Sequence, residues 1–334
     1  MNMNNKEIFK RVIVVGNTSW GTTLANQFAN CALEVVVLTR SENETNEINE
    51  QHCNKSYLPG VSLKQNVFAT EDWSLLTSED LIVIAVPSSS LNECLAKIKT
   101  FNVSNLQVLC ATKGLDNNTG LRMSEVIENE IEIQYSASIS GPNLSAEINK
   151  SLPSATVVAS ANQQFAAKIQ NTLHSDKFRV YVSSDIIGVE LGGALKNIIA
   201  IAAGIVDAFK YGDNAKSGVV TRGLAEISRL AVAAGGNEHT LQGLSGIGDL
   251  IATSYSEHSR NRKFGELIGN GDNAHDALSK LNGVCEGYAT LPSALLLAEK
   301  YDVELPIFNA LSSIINDGLN PEEAVFNLLS REPR

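Results

Sequence analysis

Val12-Ile-Val-Val-Gly16-Asn-Thr-Ser-Trp-Gly21-Thr-Thr-Leu-Ala25 is the stretch that decides the fold. Four apolar β-branched residues read as a buried strand, Gly16 ends it, and the residues after Ser19 carry helical spacing. A strand, a glycine-framed turn and a helix make the dinucleotide-binding fingerprint Gly-x-Gly-x-x-Gly. Its first glycine makes the tight turn, its second admits the pyrophosphate, and its third lets the helix pack on the strand. Gly16 and Gly21 hold the first and third places, but Thr18 fills the second. A side chain there is expected either to crowd the pyrophosphate or to add a hydroxyl donor to it.

Outside this stretch, apolar runs bounded by turn residues recur at 34–38, 81–86, 107–111, 137–139, 156–159 and 179–182, with helix-length stretches between several of them, such as 21–31 and 89–99. Strands alternating with helices imply an α/β fold, a Rossmann-type doubly wound and largely parallel sheet covered on both faces. The later strands follow shorter loops and are expected to extend it antiparallel. After about Gly188 the pattern changes, and 189–209, 217–234, 261–268, 288–300 and 309–316 all carry helical spacing. The expected organisation is a dinucleotide-binding domain over 1–187 and an all-helical substrate domain over 188–334. A chain of 334 residues has room for both, because single cores stop growing near ~250 residues.

The formal charge of −11 comes without a basic run, which argues against nucleic acid or an anionic membrane surface as partner. Cys31, Cys53, Cys94, Cys110 and Cys285 are odd in number and widely spaced, and read as reduced cytosolic thiols. The first eleven residues hold no apolar signal segment, so a cytoplasmic protein is expected. Residues 186–209 could span a bilayer by length, yet they contain Glu190, Lys196, Asn197 and Asp207, so they read as a helix buried in protein. The histidines show no metal spacing, and no metal site is expected. A Gly-x-Ser-x-Gly turn is missing, which argues against hydrolase chemistry. The long apolar helices lead to the expectation of a homodimer.

Ligands of such sheets bind beyond the carboxyl ends of the strands. After the strand at 34–38 comes Thr39-Arg40-Ser41, where an NAD-specific site places an acid on the ribose. Arg40 suits a 2′-phosphate, so NADP(H) is the expected cofactor and NAD(H) the alternative; a solvated surface arginine is the bland reading. Ala111-Thr-Lys113-Gly114 puts an ammonium at another strand end. In Glu190-Leu-Gly-Gly-Ala-Leu-Lys196-Asn197 a lysine interrupts an apolar helix. It must find anions, reach water, or carry a lowered pKa, and the last makes it a usable acid or base. Ser259-Arg260-Asn261-Arg262-Lys263 offers guanidinium forks and helix-terminal amides together, which is equipment for a phosphorylated small molecule. A charged helix face is the alternative there, although these cations meet no acid until Glu266. On these residues alone, a different β-hydroxyacid-type dehydrogenase and a non-catalytic dinucleotide sensor both remain open.

Val15-Gly-Asn-Thr-Ser-Trp-Gly-Thr-Thr-Leu-Ala25, Ala111-Thr-Lys-Gly114, Ser140-Gly-Pro-Asn143, Glu190 to Asn197, Gly212-Asp-Asn-Ala-Lys216, Thr221-Arg-Gly-Leu-Ala-Glu226, and Gly246-Ile-Gly-Asp-Leu250 with Ser259-Arg-Asn-Arg262 follow one another through nearly the whole chain. In that order they resemble the NAD(P)-dependent glycerol-3-phosphate dehydrogenases. The resemblance implies a helical domain of the 6-phosphogluconate dehydrogenase C-terminal type. It also implies reversible reduction of dihydroxyacetone phosphate to sn-glycerol 3-phosphate for phospholipid synthesis. By position, Lys196 matches the proton-transferring lysine, Asn197 stands beside it, and Lys113 matches a lysine touching both cofactor and substrate. Gly141 and Asn143 match a loop over both. Asp249, Thr253, Ser259, Arg260 and Asn261 match the substrate pocket, with Arg260 gripping the phosphate and Asp249 holding Lys196. Gly16, Thr18, Ser19, Trp20, Gly21, Arg40, Ser145, Arg260, Val284 and Glu286 fall at the cofactor. The family usually carries Gly where Thr18 stands, Ser or Thr where Asn143 stands, and Ala where Ser145 stands.

Overall fold

The structure is a computed structural model that describes residues 7–281 and 283–329; residues 1–6 of the N-terminal stretch read above lie outside the described residues. The chain divides into two compact units. The first takes the residues up to Thr112 together with Met123–Ile186, and the second takes Lys113–Arg122 together with Ile187 onward. A short internal segment therefore leaves its sequence neighbours and packs with the C-terminal half.

The first unit contains β1 (Arg11–Val15), β2 (Glu34–Leu38), β3 (Cys53–Asn54), β4 (Leu58–Ser62), β5 (Val67–Thr70), β6 (Leu81–Ile84), β7 (Leu106–Cys110), β8 (Ile133–Ser140), β9 (Ser154–Ala159) and β10 (Phe178–Ser183). One sheet runs in the order β5-β2-β1-β6-β7-β8-β9-β10, while β3 and β4 form a separate antiparallel pair. The chain works outward from β1 through β2 to β5 and then restarts on the other side at β6. Such a reversal opens a crevice beyond the strand ends. Val15 is in register with both Leu38 and Ile84, so Gly16, Thr39 and Ala85 lie side by side just past it.

Alternation along the central strands buries both faces. Val12 and Val14 pack in one cluster with Leu24, Phe28, Phe165 and Ile169 from the flanking helices, and Ile13, Ile82 and Ile84 are buried on the opposite side. The expected antiparallel extension holds for β9 against β8. It does not hold for β10, which runs parallel to β9 because the helix Gln163–Leu173 carries the chain back to the same end of the sheet.

The second unit is helical, with only an isolated Leu115–Arg122 bridge among its described residues. Its axis is the helix Ile186–Ala208, in which every residue from Gly188 to Val206 is buried. Glu190, Lys196 and Asn197 are thus buried in protein, while Asp207, near the end of the helix, is half-buried. The helix Arg260–Gly269 crosses it at very short range: a Cβ on Gly204 would overlap the carbonyl of Arg262, and one on Gly265 the carbonyl of Ile201. Glycine at both places lets the backbones touch, and this brings the start of one helix beside Asn197 of the other.

Candidate active site

In the first unit the fingerprint closes around Thr18. Gly16 has φ of 111°, and a Cβ there would stand 2.8 Å from the carbonyl oxygen of Ala85. Thr18 caps the helix Ser19–Phe28: its hydroxyl accepts from the Gly21 amide at 3.1 Å and donates to the Ala85 carbonyl at 2.9 Å. A hydroxyl has one hydrogen, and Ala85 holds it, so Thr18 is a cap in this arrangement and not a donor to a ligand. The Thr22 amide is taken by the Thr18 carbonyl. Ser19 and Trp20 are left with the amides that a helix start offers to an anion, at the positive end of the helix dipole. The turn therefore fits a dinucleotide pyrophosphate, on fewer amides than an all-glycine fingerprint would offer.

Asn54 in β3 steadies this turn, donating to the Asn17 carbonyl and the Thr22 hydroxyl at 2.8 Å each. Just past β2, the Arg40 guanidinium is exposed, reaches the Tyr57 hydroxyl at 2.9 Å and meets Glu44 at 3.8 Å. Gly141 follows β8 with φ of 149°. Asn143 donates to the Thr156 hydroxyl at 3.0 Å, while its Oδ1 is buried with no partner among the described residues. Ser145 opens the short helix Ser145–Asn149.

In the second unit, two lysines share one carboxylate. Lys196, 6% exposed, donates from Nζ to Asp249 Oδ1 and to the Thr253 hydroxyl, the latter at 2.5 Å. Lys113 Nζ meets the other oxygen, Oδ2, at 2.6 Å. Asp249 opens the helix Asp249–Tyr255, and Thr253 follows one turn later on the same face, where its hydroxyl closes the triangle to Asp249 at 3.3 Å. Burial pulls the Lys196 pKa down to about 8; the Asp249 charge opposes that shift and the Lys113 charge adds to it.

Asn197 stands beside this cluster and accepts from Asn261 Nδ2 at 2.9 Å. The other end of Asn261 accepts from the Gly287 amide at 2.9 Å and the Cys285 thiol at 3.2 Å, so Asn261 orients Asn197. Ser259 caps the helix Arg260–Gly269 through the Arg262 amide at 3.2 Å. The cations that follow have separate fates. Arg262 pairs with Asp207 at 2.6 Å and Glu266 at 2.8 Å, and Lys263 meets Glu266 at 3.0 Å. Arg260 has no ion pair among the described residues. Its guanidinium lies along the backbone of Gly283, where a Cβ would stand 2.5 Å from Nη1. The exposed Val284, and Glu286 at the start of the helix Glu286–Lys300, follow directly.

The N-terminal profile of the NAD-dependent glycerol-3-phosphate dehydrogenases matches residues 11–166, and the C-terminal profile matches 185–326. A Chlorobium phaeobacteroides protein named NAD(P)+ glycerol-3-phosphate dehydrogenase is 40% identical over 328 residues, covering 97% of this chain and 98% of that one. The chain belongs to the glycerol-3-phosphate dehydrogenase family. The protein of the same name from Bacillus licheniformis is 42% identical over 96% of this chain and 94% of its own length. The crystal structure of glycerol-3-phosphate dehydrogenase from Coxiella burnetii superposes with a TM-score of 0.91 at 35% identity, over 97% of this chain and 99% of that one.

Within this glycerol-3-phosphate dehydrogenase fold, the structure gathers Lys113, Lys196, Asp249 and Thr253 into one cluster and Asn197 with Asn261 beside it. Sequence reasoning passed over Asn54, Tyr57 and Gly283, and read Cys285 only as a reduced thiol, without its bond to Asn261. Each acts on a motif residue from a distant or unremarkable stretch, and only the fold brings them together.

Proposed function

We propose that this glycerol-3-phosphate dehydrogenase reversibly reduces dihydroxyacetone phosphate to sn-glycerol 3-phosphate with NADPH in preference to NADH. We further propose that it works as a cytoplasmic homodimer supplying glycerophospholipid synthesis; its five free cysteines suit that compartment. The observation that carries the catalytic reading is the Asp249 carboxylate shared by Lys113 and Lys196.

The nicotinamide, when bound, supplies a hydride to the ketone carbon. The chain must then protonate the alkoxide. Lys196 is suited to this: with a pKa of about 8 it is charged at neutral pH, yet it releases its proton more readily than an ordinary lysine. Asp249 and Thr253 fix the direction of its Nζ, and Lys113 places a second positive charge where negative charge develops. Asn197, turned by Asn261, orients the reacting oxygen. Arg260 grips the phosphate with its fork, a role supported by the pairing of Arg262 and Lys263 with acids. Holding the phosphate also aligns the ketone.

The NADPH preference rests on Arg40, whose exposed guanidinium beyond β2 matches a 2′-phosphate. Oxidation of NADPH and of NADH is followed with dihydroxyacetone phosphate, using the wild type and Arg40→Asp. Turnover with both cofactors is expected, with NADPH favoured. Arg40→Asp is expected to move the ratio toward NADH by roughly tenfold, the worth of one charge-assisted bond. Cofactor binding without turnover on either would contradict the proposal.

A further inference from the structure

Lys113–Arg122 packs with the helical unit, although both of its flanks belong to the first. The segment is closed on itself. Asp116 Oδ1 accepts from the amides of Asn118 at 3.1 Å and Thr119 at 2.9 Å and from the Thr119 hydroxyl at 2.7 Å. The Gly120 amide returns to the Asp116 carbonyl at 2.9 Å, and Leu115 bridges to Arg122. Lys113 and Arg122 therefore leave from the same closed end of this loop. Leu115 is buried in the helical core. Arg122 Nη1 reaches Glu190 Oε2 at 2.5 Å, with side chains only 13% and 7% exposed.

Glu190 lies on the helix Ile186–Ala208, six residues before Lys196 and so ~9 Å from it along the axis. Two charges withdrawn from water hold a loop no more strongly than an apolar contact of the same size would. They do hold it in one direction, because a guanidinium and a carboxylate must meet along fixed hydrogen-bond lines. We infer that Arg122 and Glu190 are positioning residues for the reaction: their pair fixes the base of the loop on the helix that carries Lys196, and so keeps the Lys113 ammonium on Asp249. This rests on the roles given above to Lys196 and Lys113.

The charged groups facing Lys196 are Asp249 and Lys113. If Lys113 is released, Lys196 loses its repulsive neighbour and holds its proton to higher pH. Three variants are compared with the wild type: Glu190→Gln, Glu190→Asp, and Glu190→Gln combined with Arg122→Gln, which leaves no lone charge buried. Competitive acylation of the lysines, read by mass spectrometry as a function of pH, is measured beside the pH dependence of kcat for ketone reduction.

In the Gln variants, the acylation midpoint of Lys196 and the alkaline limb of kcat are both expected to rise by about half a pH unit. A loss of about tenfold in kcat is expected with them, at unchanged NADPH Kd, and Glu190→Asp should return most of it. The double variant keeps the test decisive if the single one fails to fold. A folded double variant with lower Tm and an unmoved Lys196 midpoint would make the pair merely structural and overturn the inference. Acylation needs no substrate, so wild-type inactivity would count against the proposed function while the midpoints still decide this point.

Discussion

Thr18 uses both sides of its hydroxyl inside the protein, and that changes what its presence in the fingerprint means. As cap it steadies the helix Ser19–Phe28, and it occupies the Gly21 amide that a glycine in its place would leave free. Thr18→Gly is therefore expected to bind NADPH more tightly, by roughly tenfold if the freed amide reaches the pyrophosphate. The same change should lower Tm slightly, since replacing such a cap by glycine costs roughly a few tenths of a kcal/mol. Fluorescence titration and thermal melting measure both, and weaker binding would show that the cap's ordering of the turn matters more than the amide. Single residues also mark where sequence reading stops. Arg260 and Arg262 look alike in sequence, and only the fold brings Asp207 to one of them.

Among the elements, the helix pair that touches at Gly204 and Gly265 sets the spacing of the second unit, and a buried carboxylate ties in another helix. Glu226, on the helix Gly212–Ala233, accepts the Ile307 amide at 3.0 and 3.1 Å near the start of the helix Pro306–Asn316. Burial raises its pKa to about 7, against the pull of the Ile307 and Phe308 amides and of Arg229 and Arg222. A carboxyl pKa raised on folding favours the native state most below the ordinary carboxyl range, and that contribution is lost as pH rises through 7. Relative to Glu226→Gln, the wild type should be more stable at pH 5 than at pH 8, read as the difference in Tm. A constant difference across that range would remove Glu226 as a titrating tie. The central strands were legible because each is a run of apolar residues buried on both faces. β5 was not, being four residues at the sheet edge with Phe68 turned to solvent.

For the whole molecule, the ordered motifs carried the plan of a Rossmann-type unit followed by helices, and they carried the residues of the lysine cluster. They could not carry the transfer of Lys113–Arg122 to the helical unit. That transfer depends on Leu115 entering a distant core and on Arg122 finding Glu190, contacts that leave no local periodicity. Nor could they show that one carboxylate serves both lysines, since Lys113, Lys196 and Asp249 stand far apart in the chain. The chemistry proposed for the molecule comes down to the proton on Lys196. Ketone reduction by Lys196→Ala, at saturating NADPH and with NADPH binding measured alongside, tests it. A loss in kcat of ~100- to 10,000-fold with NADPH binding retained is the expected result, and undiminished turnover would contradict the role given to Lys196.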